Sequence, residues 1–282
     1  MKTFLDRVRK EKLGEIERRK EKFSERVLRK KLEESINIPE FKKNLLRNNG
    51  EEISLILEVK SRSPGEKNID SLDPEKIVCD YELGGAKAIS VLTDEFWFGG
   101  SLEILGKVSK STTLPILHKE FIIDPYQLLE GRLRGASASL ILAYYFEELE
   151  LYEIINEARK IGLESVVECS IEDELQRAIA VNPDILMINN RPIASIPEDP
   201  SREYDKGNIR VTLSWWEKNS DLRLWKKQPE KLLISASCIN SQEDIKMLSK
   251  IPCDAVLIGN SAMKAVDRLG FLNSLRKTKK KF

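Results

Sequence analysis

Four charged residues stand where apolar runs end, and their types suit proton transfer and anion binding. Ile53 to Leu57 is an apolar run that continues as Glu58-Val59-Lys60 and then turns out through Ser61-Arg62-Ser63-Pro64-Gly65. Successive side chains of a strand point to opposite faces, so Glu58 and Lys60 share one face and Val59 takes the other. A carboxylate and an amine at the end of a buried strand are costly unless they are paired or used. Lys119, Glu168 and Asn189 close three further apolar runs, each on the inner face by the same alternation. Two lysines and two carboxylates in one cleft can bind an anion and move protons, with the carboxylates keeping the lysines charged. The same set also suits a solvated ion network at a rim.

These residues need a scaffold that ends several buried strands at one place. From Ile53 onward, short apolar runs alternate with helical stretches. The runs are 53–57, 88–92, 115–119, 138–142, 165–168, 184–189, 232–235 and 255–258. Runs so short and apolar suit the strands of a parallel sheet covered by helices. Helix starts fall between them: Asp73 as N-cap before Pro74, Asp124-Pro125 with Gln127 in a capping box, Ser170 as a cap, and Asn240 with Glu243 in a second box. Eight such units predict an α/β fold closed as a (β/α)8 barrel, one domain over residues 1–282, with chemistry at the C-terminal ends of the strands. A doubly wound open sheet is the alternative, but it usually carries a glycine-rich turn after its first strand.

Ahead of the barrel, residues 1–35 are dense in Lys, Arg and Glu. Phe4, Val8, Leu13, Ile16, Phe23, Val27, Leu28 and Leu32 recur at helical spacing, which predicts one or two amphipathic helices. A short helix is expected over 40–47. Between Asn189 and Leu232 the rhythm breaks. Residues 214–227 read as the sixth helix, with Trp215 and Trp216 packing it onto the barrel, and the rest reads as a long loop.

The seventh and eighth runs end in Ser237-Cys238-Ile239 and Gly259-Asn260-Ser261, each leading into a helix. Backbone N–H groups at such places bind phosphate, and in barrels this pair of loops is the usual phosphate site. Lys and Arg number 47 against 46 Asp and Glu, a net charge of +1, so no global field draws nucleic acid or anionic membrane. No apolar run approaches the roughly 20 residues of a membrane-spanning helix, and the N-terminus lacks the apolar core of a signal peptide. Cys79, Cys169, Cys238 and Cys253 are widely spaced, and the single histidine, His118, leaves little for a zinc site or a histidine-based triad. His118 faces away from Lys119 by alternation and is given no role. A cytoplasmic protein with free thiols is expected.

Several stretches together resemble the indole-3-glycerol phosphate synthase family, from the N-terminal helices to near the C-terminus. They are Leu57-Glu58-Val59-Lys60-Ser61-Arg62-Ser63-Pro64, Ile89 to Asp94 with Trp97 to Leu102, and His118-Lys119-Glu120-Phe121 through Gln127. Val167-Glu168, Ile188-Asn189-Asn190-Arg191 and Leu257 to Met263 add to them. The resemblance implies closure of the indole ring of 1-(2-carboxyphenylamino)-1-deoxyribulose 5-phosphate with loss of CO2 and water, without metal or organic cofactor. It implies Lys119 as the acid at the carbonyl oxygen and Glu168 as its acid/base partner in dehydration. Lys60 would meet the anthranilate carboxylate, and Glu58 would hold Lys60. Ser63, Asn189 and Arg191 would orient the substrate, Phe98 and Phe121 would line the aromatic subsite, and Ser237, Cys238, Gly259 and Asn260 would take the phosphate. Residues 1–48 resemble the family's extension over the barrel mouth. A monomer is expected, with other tryptophan-pathway enzymes as possible partners.

The chain departs from the pattern in three places. Ala236-Ser237-Cys238 stands where the family has Glu-Ser-Gly, which removes a carboxylate and a glycine. Pro192 stands where an Asp usually follows Asn190-Arg191, and the segment up to the seventh strand is longer than usual. These departures leave two alternatives open: a phosphosugar enzyme like phosphoribosylanthranilate isomerase, and a homologue that binds a phosphorylated ligand with impaired catalysis.

Overall fold

Eight aliphatic runs form eight parallel strands, and the last pairs with the first. The computed structural model describes residues 3–33, 38–47, 51–62, 73–196 and 205–276. The strands are β1 (Ser54–Val59), β2 (Ala88–Leu92), β3 (Ile116–Lys119), β4 (Ala138–Leu142), β5 (Glu164–Cys169), β6 (Ile185–Asn189), β7 (Leu232–Ala236) and β8 (Ala255–Ile258). They close in sequence order into one barrel, a (β/α)8 fold. The open-sheet alternative is therefore excluded, because Leu57 pairs with Ile89 on one side and with Ile258 on the other.

Alternation sorts every strand. Ile56, Leu117, Leu140, Val166, Met187 and Ile234 fill the barrel interior. Leu57, Val91, Ile141, Val167, Leu186 and Val256 face outward onto the helices. The register then lines up the strand ends: Leu92 lies beside Lys119, Leu142 beside Glu168, and Asn189 beside Ala236. His118 falls on the outward face, buried between the Thr93 hydroxyl, 3.0 Å from Nε2, and the Ser139 hydroxyl, 3.2 Å from Nδ1. Burial pushes its pKa down to about 3, so the imidazole is neutral.

The helices are α1 (Phe4–Lys22), α2 (Glu25–Glu33), α3 (Phe41–Leu45), α4 (Pro74–Leu83), α5 (Glu95–Phe98), α6 (Leu102–Ser111) and α7 (Pro125–Leu133). They continue as α8 (Glu148–Lys160), α9 (Glu172–Ala180), α10 (Arg210–Lys218), α11 (Ser220–Lys227), α12 (Gln242–Leu248), α13 (Asn260–Lys264) and α14 (Arg268–Arg276). Asp73 caps α4, and Asp124 with Gln127 forms the box that starts α7. Two expected caps shift by one residue. The box before α12 is Ser241 with Asp244, whose Oδ2 accepts the N–H groups of both Asn240 and Ser241. Ile171, not Ser170, is the N-cap of α9, and the Glu174 carboxylate reaches back to the Ser170 N–H instead. The expected sixth helix is two helices, since Asn219 is the last cap of α10 through its backbone N–H, given to the Trp215 carbonyl, and the first cap of α11 through its side chain, which accepts the Leu222 N–H. Trp215 is buried in the outer core and Trp216 packs against it, so this pair anchors α10 and covers no site.

The three N-terminal helices reach different parts of the barrel. The start of α1 lies at the mouth, where Phe4, Leu5 and Val8 pack with Phe121, Tyr145 and Ile196. Leu28 of α2 packs beside the barrel on Tyr126 and Leu129 of α7. At the opposite end, α3 sets Phe41 and Leu45, both fully buried, under the interior beside Ala88 and Ala255. The Glu164 carboxylate holds α3 there by accepting the N–H groups of Phe41 at 2.5 Å and Lys42 at 3.0 Å. Phe41 therefore plugs the floor of the barrel. Phe41→Ala is expected to cost about 3–5 kcal/mol of stability, the usual range for a buried phenylalanine. A fall in urea midpoint at unchanged slope would show it.

Candidate active site

The ends of β1, β3 and β6 and the turns after β7 and β8 surround a cavity of about 470 Å³ at the barrel mouth. Glu58, the fifth residue of β1, is buried and faces inward. Lys60 follows on the same face and places its ammonium 2.9 Å from Glu58 Oε1. Burial works against the Glu58 charge, but Lys60, then Lys119 and Arg191, outweigh it and hold the carboxyl below the ordinary glutamate range. Gly259 makes room for this pair. A Cβ there would come within 2.3 Å of Glu58 Oε1 and 3.0 Å of Lys60 Nζ. The glycine at the end of β8 thus serves the ion pair of β1 as well as its own turn.

Across the mouth, Lys119 Nζ lies 3.4 Å from Glu168 Oε2. The other oxygen of Glu168 accepts from Asn189 Nδ2 at 2.9 Å, and Asn189 Oδ1 accepts the Arg191 N–H at 3.0 Å. One chain of contacts therefore joins an ammonium, a carboxylate and an amide from three strands and fixes the turn that carries Arg191. Lys119, Asn189 and Arg191 line the cavity, while Glu168 lies almost wholly buried beneath them. Phe98, at the end of α5, lines the cavity and stacks at 5.9 Å on Phe121, with the ring planes tilted by 43°. Ser63 lies outside the described residues.

The turn after β7 has two consecutive residues in the left-handed region, Ser237 at φ 68° and Cys238 at φ 62°. That geometry favours glycine, so the side chain at 238 carries a local strain. Cys238 Sγ lies 3.3 Å from the Lys206 carbonyl. Burial raises the Cys238 thiol's pKa, and Arg191 pulls the other way. The Ser261 hydroxyl donates to the Ile239 carbonyl at 2.9 Å and ties the β8 turn to the β7 turn. The two N–H groups just before α12 are already taken, because Asp244 Oδ2 accepts those of Asn240 at 2.8 Å and Ser241 at 2.9 Å.

Three features of the mouth escape a reading of the sequence. Asn190 is fully buried and joins β6, β7 and α10: its amide nitrogen donates to Ser235 Oγ and the Ala236 carbonyl, both at 2.9 Å, and its oxygen accepts from Thr212 Oγ1 at 2.9 Å. It sits in a quoted motif, between two residues that were given roles. Lys206 reaches the cavity wall from the long segment after β6, and no periodicity marks it. Ile193 and Ile196 supply an apolar wall from the same segment.

The family model for indole-3-glycerol phosphate synthase matches residues 5–203. This chain belongs to the indole-3-glycerol phosphate synthase family. It is 38% identical over 229 residues to the indole-3-glycerol phosphate synthase of Staphylococcus haemolyticus (strain JCSC1435), covering 81% of this chain and 82% of that protein. It is 36% identical over 262 residues to the indole-3-glycerol phosphate synthase of Aquifex aeolicus (strain VF5), covering 93% of this chain and 94% of that protein. Two solved structures share the fold alone. A mutant tryptophan synthase alpha-subunit from Pyrococcus furiosus superposes with TM-score 0.53 at 14% identity, over 79% of this chain and 97% of that one. N-acetylmannosamine-6-phosphate 2-epimerase from Clostridium perfringens gives 0.55 at 13%, over 80% and 93%. The family match ends before β7, so Ala236 and Cys238 lie beyond it.

Two measurable consequences follow from this geometry. Cys238→Gly removes a side chain from a left-handed position and is expected to raise stability by about 1 kcal/mol, visible as a higher denaturation midpoint. The depressed carboxyl of Glu58 contributes stability that is present above its unfolded value, roughly pH 4.3, and is lost as pH falls through the lower folded value. Urea titrations of wild type and Glu58→Gln at stepped pH should therefore show a stability gap that is full at neutral pH and closes in acid. A gap that widens on acidification would contradict the pairing with Lys60.

Proposed function

We propose that this chain is an indole-3-glycerol phosphate synthase, closing the indole ring of 1-(2-carboxyphenylamino)-1-deoxyribulose 5-phosphate with loss of CO2 and water. The observation that carries the reading is the Lys119–Glu168 pair at 3.4 Å, set across the mouth from the Lys60–Glu58 pair at 2.9 Å in a chain of this family. Lys119 gives a proton to the ribulose carbonyl oxygen as the anthranilate ring carbon attacks, and its ammonium offsets the charge that develops there. Loss of CO2 restores the ring. Glu168 then exchanges the proton needed for the hydroxyl to leave as water. Lys60, held by Glu58, faces the anthranilate carboxylate. Phe98 and Phe121 take the aromatic ring, and Ser63, Asn189 and Arg191 orient the substrate. The N–H groups of Ser237, Cys238, Gly259 and Asn260 take the phosphate.

The reading extends to the whole molecule. The chain is one barrel domain whose residues 1–48 form an extension, with α1 over the mouth. It works in the cytoplasm as a monomer, on a phosphorylated small molecule supplied by a neighbouring enzyme of tryptophan synthesis. A homologue with weakened turnover is the second reading, favoured by Ala236 in the cavity wall where a carboxylate would supply another proton carrier.

Purified protein incubated with the carboxyphenylamino substrate, followed by indole absorbance, tests the reading. Lys119→Met should lower kcat by roughly 10²–10⁴-fold, the range for losing a positioned acid, while binding of the phosphorylated product survives. Near wild-type turnover in that variant would remove Lys119 from the mechanism. A silent wild type with activity only in Ala236→Glu/Cys238→Gly would select the second reading.

A further inference from the structure

Behind the loops that follow β2 and β3 lies a second buried cluster of charge. Lys12 of α1 is 2% exposed and has its ammonium 2.8 Å from Asp94 Oδ1, 3.1 Å from Glu120 Oε1 and 2.9 Å from Glu15 Oε2. Asp94 is completely buried, and its second oxygen accepts the N–H groups of Trp97 at 2.6 Å and Phe98 at 3.0 Å, which starts α5. Glu120 Oε1 also accepts the Phe121 N–H at 2.8 Å, and Oε2 accepts the Thr93 hydroxyl at 2.7 Å. An ionised carboxylate can only accept, so the Thr93 proton points to Glu120. His118 Nε2–H then donates to Thr93, and Nδ1 accepts from Ser139. Lys12 is the cation that lets Asp94 and Glu120 share this buried space, since two carboxylates so close and so dry repel.

We propose that Lys12 is a positioning residue for ring closure, acting through Asp94 on Phe98 and through Glu120 on its sequence neighbours Lys119 and Phe121. The inference rests on the synthase reading above. The two loops meet at one ammonium, so its loss lets the acid and the aromatic subsite move relative to each other. A misplacement of about 1 Å can cost roughly 10²-fold in rate. The other charged groups facing the cluster are Glu15 and Arg19 of α1 and Glu130 of α7. Burial pushes the Glu130 carboxyl up to about 7, and Arg19, 3.4 Å away, pulls it down. Glu120 raises and Lys12 lowers the same Glu130 carboxyl, so every variant below is also made in a Glu130→Gln background, where that titration is absent.

The test uses the full chain as wild type, Lys12→Met, Lys12→Met/Glu120→Gln and the control Lys20→Met. The control breaks the 2.6 Å pair between Lys20, on the same helix, and Asp124 at the far end of the loop after β3, and leaves Asp94 and Glu120 their shared cation. In Lys12→Met, kcat should fall about 10–100-fold with KM and product affinity changed by no more than about threefold. Its kcat should also fall further as pH rises, through an ionisation that wild type lacks. Asp94 and Glu120 share a proton once the cation is gone, and they separate when it leaves. The double variant should lose that alkaline fall, and Lys20→Met should turn over like wild type. Lys12→Gln carries the same expectations if Lys12→Met does not fold. Turnover of Lys12→Met equal to wild type, an equal loss in Lys20→Met, or no variant-specific ionisation overturns the inference while the synthase reading stands. A wild type that forms no indole overturns both.

Discussion

Charge taken out of water has to be paired, and that constraint shapes both the mouth and its surroundings. Glu58, Glu168, Asp94 and Glu120 are all nearly inaccessible to solvent. Each is met by an ammonium, from Lys60, Lys119 or Lys12. Leaving one such partner unpaired costs several kcal/mol. The pairs therefore fix the relative positions of strands and loops that carry them. Glycine at 259 and the amide of Asn189 belong to the same arrangement, one leaving space for a pair and the other filling the remaining acceptor of Glu168.

Closure of the barrel makes these pairings possible. In a closed parallel sheet, inward residues near the C-terminal ends point at a common axis, so residues distant in sequence converge without any loop having to place them. Glu58, Lys119, Glu168 and Asn189 come from four strands and meet this way. The turns after β7 and β8 are placed by the same strands and tied by Ser261. The left-handed backbone at Ser237 and Cys238 is a local strain in this frame, held by the Asn190 bonds to the end of β7 and its turn.

The eight strands were legible because each is an apolar run bounded by turn chemistry, and barrel burial requires that pattern. The inner-face residues were legible for the same reason, through a period of two. Reading failed where a tertiary partner overrode local pattern. Helical spacing placed Leu13 on the buried face of α1, yet Leu13 is 50% exposed and Lys12 is buried at 2%. The contacts follow Phe4, Val8, Lys12 and Ile16, a four-residue stripe in which a lysine takes an apolar position because three carboxylates meet it there. The caps at Ser170 and Asn240 failed more simply: α9 starts after Ile171 with no side-chain cap bond, and Ser241, the polar neighbour of Asn240, makes the box with Asp244.

The sequence by itself determined the fold class, the family and the identity of the inward charged residues, because hydrophobic periodicity and residue type are local properties. Only the tertiary structure decided that Lys119 pairs with Glu168, that α3 closes the floor while the start of α1 lies at the mouth, and that Asp94 and Glu120 answer to a lysine more than 80 residues away in α1. Those outcomes depend on distances between segments that no local pattern encodes. Ion pairs and buried amides act only over a few ångströms, and the closed barrel sets those distances.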